Sequence, residues 1–161
     1  MTKAKLGAVN ADKSGVADIT THVERARMRL IIAGSRSLTD YRLLTCCLQQ
    51  TQFLAELQPS MCIILSGCAR GIDRMAIRWA REQGLNVERH PAKWMEHGQA
   101  AGFKRNEQMV RIADGLLAIW DGVSSGTAHC MGRAHAKGIP MEVFQVMLGD
   151  NLGMAITRFN F

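Results

Sequence analysis

The sequence predicts a doubly wound α/β sandwich of three layers, in which two layers of helices cover a mostly parallel sheet of five strands. Short apolar runs alternate with segments in which apolar residues recur every three or four positions, as strands alternating with amphipathic helices do. The apolar runs are continuous, which is typical of parallel strands buried on both faces. Right-handed crossovers then favour the strand order 3-2-1-4-5.

The predicted elements follow one another from residue 29 to residue 145. Strands are expected at 29–33, 61–66, 85–90, 115–120 and 139–145, and helices at 39–57, 72–83, 103–113 and 125–137. Pro59, Gly84 and Gly138 end three of the helices, because proline lacks a backbone donor and glycine accepts left-handed backbone angles. Gly149 is expected to begin an irregular tail that either covers a neighbouring subunit or completes the core of its own subunit, of which the second is preferred.

Length and composition fit one domain at residues 29–161, preceded by a flexible arm at residues 1–28. The 161 residues suffice for a self-supporting core, and the hydrophobic content of 47% is ordinary for a globular protein. The arm is small, polar and without apolar periodicity. We therefore expect the chemistry of the protein to lie in the second segment.

Charge and cysteine content narrow the expected partners and location. Residues 30–161 contain 14 basic and 11 acidic side chains, a surplus of three out of the net charge of +6, so nucleic acid is a less favoured partner. No apolar run approaches the ~20 residues of a membrane span, so no membrane association is expected. Five cysteines form no CxxC pair, which favours reduced thiols in a cytoplasmic protein.

Three glycine- and serine-containing loops follow predicted strands 1, 2 and 4, and each leads into a predicted helix. In the predicted strand order these loops meet at the carboxyl edge of the sheet, where the free N–H groups of helix N-termini suit a phosphate. Arginine adds a planar fork that matches phosphate. The predicted ligand-binding residues of the loops are Gly34, Ser35, Arg36, Ser66, Gly67, Arg70, Gly71, Asp73, Asp121, Gly122, Ser124, Ser125, Gly126 and Thr127.

Each loop also fits an ordinary helix start. Ser37 and Thr39 are capping candidates for the first helix, and Ser124 or Ser125 for the fourth. Asp73 in a first turn interacts favourably with the helix dipole. None of the loops is a Walker A sequence or a GxGxxG dinucleotide fingerprint.

The segment between strands 3 and 4 supplies four further candidates, Lys93, Trp94, Arg105 and Asn106. Trp94 or the nearby Phe103 could stack on a base, and Arg105 with Asn106 could hold a phosphate or a ribose. An aromatic residue in a loop also commonly packs on the core. The histidines at positions 90, 97, 129 and 135 lack the spacing of zinc ligands, so no metal site is expected.

The motifs, taken in order, resemble the SLOG superfamily, most closely its YspA-like branch of small proteins, many of them encoded by bacteria or phages. They are GSR after strand 1, SGxARGxD after strand 2, PAxW, AGxxRN, and DGxSxGT after strand 4, and they span residues 29–144. The resemblance implies a Rossmann-like fold and a nucleotide or nucleotide-derived ligand, with a role as a sensor or sequestering protein. It also implies a homo-oligomer, a dimer or larger, that requires no other cofactor.

Two better-known relatives define the alternatives. LOG phosphoribohydrolases cleave the N-glycosidic bond of nucleoside 5′-monophosphates and carry a PGGxGTxEE loop after strand 4. Here His129 and Cys130 stand where those enzymes have two glutamates, and Asp73, Arg105 and Asp121 remain the candidate catalytic residues. The resemblance therefore favours binding over cleavage.

The second relative is the Rossmann-like domain of DprA, which shares the SGxAxGID and RN motifs. This resemblance implies single-stranded DNA binding in a groove that contains Arg36, Arg70, Lys104 and Arg105. The small charge surplus of residues 30–161 makes DNA binding a weaker expectation than nucleotide binding.

Overall fold

The computed structural model describes residues 27–55, 61–148 and 154–161, which build one mixed sheet with helices on both faces. The strands are β1 (Met28–Gly34), β2 (Cys62–Ser66), β3 (Asn86–Arg89), β4 (Gly115–Trp120), β5 (Met141–Leu148) and β6 (Met154–Asn160), and the helices are α1 (Tyr41–Gln50), α2 (Ile72–Glu82), α3 (Trp94–His97), α4 (Ala101–Ile112) and α5 (Ser125–Lys137). The sheet order is β3-β2-β1-β4-β5-β6. The predicted fold class and the order of the first five strands are confirmed. The arm predicted at 1–28 lies outside the described residues, except that β1 already begins at Met28.

The first five strands are parallel, and β1 lies at their centre. Ile31 pairs with Leu65 of β2 on one side and with Leu116 of β4 on the other. The chain moves outward through β2 and β3, and then returns to the other side of β1 to form β4 and β5. The carboxyl ends of β1 and β4 therefore flank the point at which the strand order reverses, where ligands bind in such sheets.

The two faces of the sheet have separate apolar layers. Ile32 belongs to the layer beneath α1 and α2, together with Leu44 and Ile72. The preceding residue, Ile31, belongs to the layer beneath α4 and α5, together with Met109. Because both faces are covered, the central strands β1, β2 and β4 are mostly apolar at consecutive positions rather than at every second one. In the described part of the chain, every helix is too short or too polar to cross a bilayer.

The tail that was predicted to be irregular contains a sixth strand, β6, which runs antiparallel to β5. Arg158 of β6 lies with its Nη2 3.2 Å from Oε2 of Glu142, a residue of β5 that is buried. The other carboxylate oxygen of Glu142 accepts the backbone N–H of Gln52 at 2.9 Å. β6 thus supplies the counter-ion of a buried carboxylate, and Ile156 packs on the core as expected for this tail.

Helix α1 is shorter than the predicted 39–57. Its N-cap is Asp40, whose Oδ1 accepts the N–H of Arg42 at 2.9 Å, rather than Ser37 or Thr39. The helix ends before Thr51, which is extended (φ −74°, ψ 139°) and whose hydroxyl accepts the N–H of Phe53 at 3.2 Å. Apolar periodicity continues through this break because a short 3₁₀ turn follows, and periodicity alone could not locate it.

Candidate functional site

A cavity of about 400 Å³ opens at the carboxyl ends of β1 and β4. The predicted ligand-binding residues that line it are Gly34, Arg36, Asp73, Trp94, Arg105, Asn106, Ser124, Ser125, Gly126 and Thr127. The predicted residues outside its lining are Ser35, Ser66, Gly67, Arg70, Gly71, Lys93, Asp121 and Gly122. The cavity is also lined by residues that were not among the predicted ligand-binding residues, including Ala69, Gln99 and Cys130.

The second glycine loop is locked by Arg105 of α4. The Arg105 guanidinium is buried, donates from Nη1 to the carbonyl oxygen of Gly67, and donates from Nε to Asn106 Oδ1 at 3.0 Å. A Cβ atom on Gly67 would lie 1.7 Å from Nη1 of Arg105. Gly67 is therefore required because a side chain of the protein lies against it, a contact that the sequence interpretation did not foresee.

The glycines of the first two loops allow these loops to pack on their neighbours. A Cβ on Gly34 would lie 2.5 Å from the carbonyl oxygen of Ile119, and one on Gly71 would lie 2.6 Å from that of Ser35. Gly71 also has a φ of 80°, which side-chain-bearing residues rarely adopt. Gly126 differs, since no heavy atom from outside the nearby turns of its own helix lies within 4 Å of the position of its Cβ and the residue lines the cavity.

Asp73 connects three segments beneath the cavity. Its side chain accepts the N–H of Gly34 at 3.4 Å and that of Ala69 at 3.3 Å, and one oxygen lies 3.8 Å from Nη1 of Arg105. Only 4% of Asp73 is exposed, and this burial raises the pKa of its carboxyl against the opposing effect of Arg105 and the two N–H donors. Burial also raises the pKa of the neighbouring Cys130 thiol to about 12.

Two hydroxyls of the predicted site serve the loops rather than the cavity. Ser35 Oγ accepts the N–H of Asp121 at 3.0 Å, which joins the first loop to the third. Ser66 Oγ accepts the N–H of Cys68 at 3.3 Å and donates to the carbonyl oxygen of Asp73 at 3.2 Å. Both serines are fully buried, so they hold the loops in register.

Asp121 caps the turn that precedes α5 rather than the helix itself, whose N-cap position is Ser124. Its Oδ1 accepts the N–H groups of Val123 and Ser124 at 3.1 and 2.8 Å, and its Oδ2 accepts the hydroxyls of Ser37 and Ser124 at 2.7 and 2.8 Å. Burial alone would raise the pKa of this carboxyl, but these four donors outweigh it and hold the pKa well below its usual value. Ser124, one of the two predicted capping residues, occupies the N-cap position of α5 but makes no side-chain cap hydrogen bond to the helix.

The first turn of α5 faces the cavity beyond this cap. Ser125 and Gly126 are exposed and line the cavity. Thr127 is 5% exposed and lines it too, and none of the hydrogen bonds among the described residues uses its hydroxyl. The N–H groups of a helix's first turn have no partner within the helix. This end of the cavity can therefore accept an anion.

Replacing Asp121 with asparagine is expected to lower the free energy of unfolding at neutral pH. It is also expected to make that free energy depend less on pH in the acid range. A carboxyl whose pKa is lowered by folding stabilises the protein above its unfolded-state pKa, near 3.8, and loses that effect as pH falls further. Weakening these hydrogen bonds by removing the charge that they satisfy costs about 1 kcal/mol. Thermal denaturation between pH 3 and pH 7 measures this, with Asp114→Asn, a substitution of an exposed aspartate, as the control. Equal acid dependence of the wild type and Asp121→Asn would contradict the assignment.

The cavity lining also contains two aromatic rings. Trp94 and Phe103 line it and are 50% and 41% exposed, as a ligand-stacking surface requires. Phe103 packs against the ring of His129 with 4.6 Å between centroids. His129 does not line the cavity, and burial lowers the pKa of its imidazole. Lys93 points elsewhere and pairs with Glu96 at 3.1 Å.

The cationic groups at the cavity differ in burial. Arg36 lines it and is exposed, whereas Arg105 is buried beneath it. Arg70 is exposed but lies outside the lining, although its motif had placed it at the ligand. Among the described residues, no three histidine, cysteine, aspartate or glutamate side chains come together as metal ligands would.

Two comparisons with known proteins bear on this site. The Gene 61 protein of Mycobacterium phage D29 is 41% identical over 122 residues, which cover 72% of this chain and 95% of that protein. A model of the YspA, cpYpsA-related SLOG family matches residues 28–97. The chain belongs to this SLOG family. The family match covers β1 to α3 and so includes the first two glycine loops of the SLOG protein. The similarity to a phage protein fits the expectation that many members of the YspA-like branch are encoded by phages.

Proposed function

We propose that the cavity binds a nucleotide or a nucleotide-derived ligand, and that the protein senses or sequesters it. The observation that carries this proposal is the arrangement of one cavity at the switch point of a SLOG sheet. An unblocked helix N-terminus, an exposed arginine and two exposed aromatic rings line the same cavity. A nucleotide offers a partner for each, with a charged phosphate and a flat base.

The phosphate is assigned to the first turn of α5. The N–H groups of Ser125, Gly126 and Thr127 are beyond the reach of the Asp121 cap, and the helix dipole favours negative charge there. Gly126 leaves room for close approach of a phosphate oxygen. The exposed guanidinium of Arg36 lies in the same lining and can pair with the phosphate in a bidentate manner.

The base is assigned to Trp94 and Phe103. Stacking of a base on an aromatic ring contributes about 1–3 kcal/mol and tolerates any base. The rings alone therefore give affinity for nucleotides as a class. Selection among bases would have to come from other polar groups of the lining, such as Gln99, because both polar atoms of Asn106 already bond to Arg105 and to the carbonyl oxygen of Gly126.

The contacts of the Asp73 carboxylate favour ligand binding over cleavage of the glycosidic bond. Asp73 is the carboxylate among the described lining residues, and its oxygens already accept two backbone N–H groups and face Arg105. His129, at the position where the phosphoribohydrolases have a glutamate, packs on Phe103 outside the lining. A hydrolytic reaction would need an acid or base that is free to reach the sugar.

A thermal-shift screen tests the proposal with AMP, ADP-ribose, NAD and a cyclic nucleotide as probes. Near 100 times the Kd, a ligand that binds the native state adds about 2.7 kcal/mol to the free energy of unfolding. That gain corresponds to an increase in Tm of about 5–10 °C for a chain of this size. Arg36→Gln should lose most of the shift, whereas Arg111→Gln, an exposed arginine of α4, should retain it.

The screen has two informative failures. No shift with any probe, in a protein that melts cooperatively, would overturn nucleotide binding. A shift accompanied by release of free base, measured by chromatography at high protein concentration, would replace binding with glycosidic cleavage. Equal shifts in the Arg36→Gln variant and the wild type would move the phosphate away from this end of the cavity.

A further inference from the structure

A second cavity lies outside the ligand site, at the exposed face of α2. It has a volume of about 400 Å³ and is lined by Arg74, Arg78, Arg81 and Arg89, with Cys68 and Ile77. Three of the arginines are on one helix at positions i, i+4 and i+7, which share one face. The fourth is on β3, beside that helix. No carboxylate belongs to the lining, and one of the four guanidinium groups, that of Arg78, has a carboxylate partner beside the cavity. The like charges of the other three favour the presence of an anion.

The nearby acidic side chains are already engaged. Glu82 pairs with Arg78 at 2.7 Å and also accepts a hydrogen bond from Tyr41. Glu88 lies 3.8 Å from Arg29 and 2.9 Å from His90. Within the described residues, no ion pair or side-chain hydrogen bond involves Arg74, Arg81 or Arg89.

We propose that this arginine face binds the phosphodiester backbone of nucleic acid without reading its sequence. Residues 74 and 81 are about 10 Å apart along the axis of α2, since each residue of a helix rises 1.5 Å. Phosphates of one DNA strand repeat about every 3.4 Å along the duplex axis. The row of arginines from residue 74 to residue 81 therefore matches about three phosphates. A row of arginines on a helix face suits a linear anion, and an arginine fork pairs with phosphate oxygens in a bidentate manner.

The chemistry of the lining explains why no base is read. Ile77 and Cys68 form the uncharged part of the cavity, and neither is an aromatic ring on which a base could stack. Trp94 and Phe103, the rings with stacking potential, line the nucleotide cavity instead. Affinity from phosphate contacts alone depends strongly on salt and little on sequence. This surface is independent of the proposed nucleotide site and does not require that proposal to be right.

Fluorescence anisotropy with the full chain tests the surface. The probes are labelled single-stranded and double-stranded 20-nucleotide DNAs of mixed sequence, titrated at 50, 100 and 200 mM salt. We expect the logarithm of the binding constant to fall linearly with the logarithm of the salt concentration. We also expect similar affinity for two unrelated sequences. Arg74→Gln combined with Arg89→Gln is expected to weaken binding by about tenfold or more and to reduce the salt slope by about 2.

The matched control removes the same charge from the opposite face of the sheet. Arg111→Gln combined with Arg133→Gln alters exposed residues of α4 and α5 and should leave the salt slope within a few tenths of the wild type. Both double variants should melt near the wild-type temperature, since their side chains are exposed. The nucleotide-induced shift of Tm should survive in the Arg74/Arg89 variant, which separates the two proposals.

Three results would overturn the inference. The first is no binding of either DNA at 50 mM salt. The second is equal loss of affinity in the two double variants, which would indicate a nonspecific effect of net charge. The third is full competition by tripolyphosphate with no gain in affinity from a 6-mer to a 20-mer, which would assign the cavity to a compact anion.

Discussion

Gly67→Ala is expected to lower the free energy of unfolding by about 1–3 kcal/mol and to abolish ligand binding. The new Cβ would occupy the place of the Arg105 guanidinium, whose Nη1 lies 1.7 Å from it. Arg105 cannot rotate away cheaply, because it is buried and hydrogen-bonded to the carbonyl of the same glycine and to Asn106. Thermal unfolding and the nucleotide-shift assay measure the two effects.

The control for this variant is Gly132→Ala on α5. No heavy atom lies within 4 Å of the Cβ position of Gly132, and the residue is exposed in a helix. Alanine is favoured over glycine there by about 0.5–1 kcal/mol, so this variant should be more stable than the wild type. An unchanged Tm and an unchanged ligand shift in Gly67→Ala would show that Arg105 can leave its place without cost.

Arg105→Met is expected to destabilise the protein by about 3–5 kcal/mol at pH 7, because Asp73 would remain buried without its counter-ion. The effect should shrink as the pH falls. A buried acid whose pKa is raised by folding favours the native state at low pH and loses that advantage as pH rises through its folded-state pKa.

The double variant Arg105→Met with Asp73→Asn tests whether the loss comes from the uncompensated charge. We expect it to recover much of the stability lost in the single variant, which gives a large coupling energy in a double-mutant cycle. Arg111→Met, at an exposed position of the same helix, should stay near the wild type. Additive effects of the two substitutions, or a loss that is the same at pH 5 and pH 8, would contradict this account.

The sequence predicted the sheet because its evidence is local. Continuous apolar runs such as Leu116–Ile119 indicate strands that are covered by helices on both faces, and the rule of right-handed crossovers then favours one strand order. β6 was missed because just one face of it is covered and its alternation is weak. The pairing of Glu142 with Arg158 joins strands whose connection carries no pattern of its own.

The sequence predicted where the site lies in the fold, but not the contacts that its residues make. The meeting of three loops at one edge follows from topology, and ten of the predicted residues line the cavity. The roles of Gly34, Gly67 and Gly71 were not predictable, because they depend on atoms of Ile119, Arg105 and Ser35 that lie far away in sequence. A glycine that makes room for its own protein and one that makes room for a ligand look the same in a sequence.

The long-range links around the cavity have a consequence for how the site comes into being. Gly67 bonds to Arg105 across 38 residues, and Ser35 to Asp121 across 86. Contacts that span so much chain cannot form before the loops between them close. The cavity is thus assembled late in folding, and the protein can bind a ligand there only after the whole sheet has formed. A segment ending at residue 97 contains two of the three loops and lacks the residues that hold them.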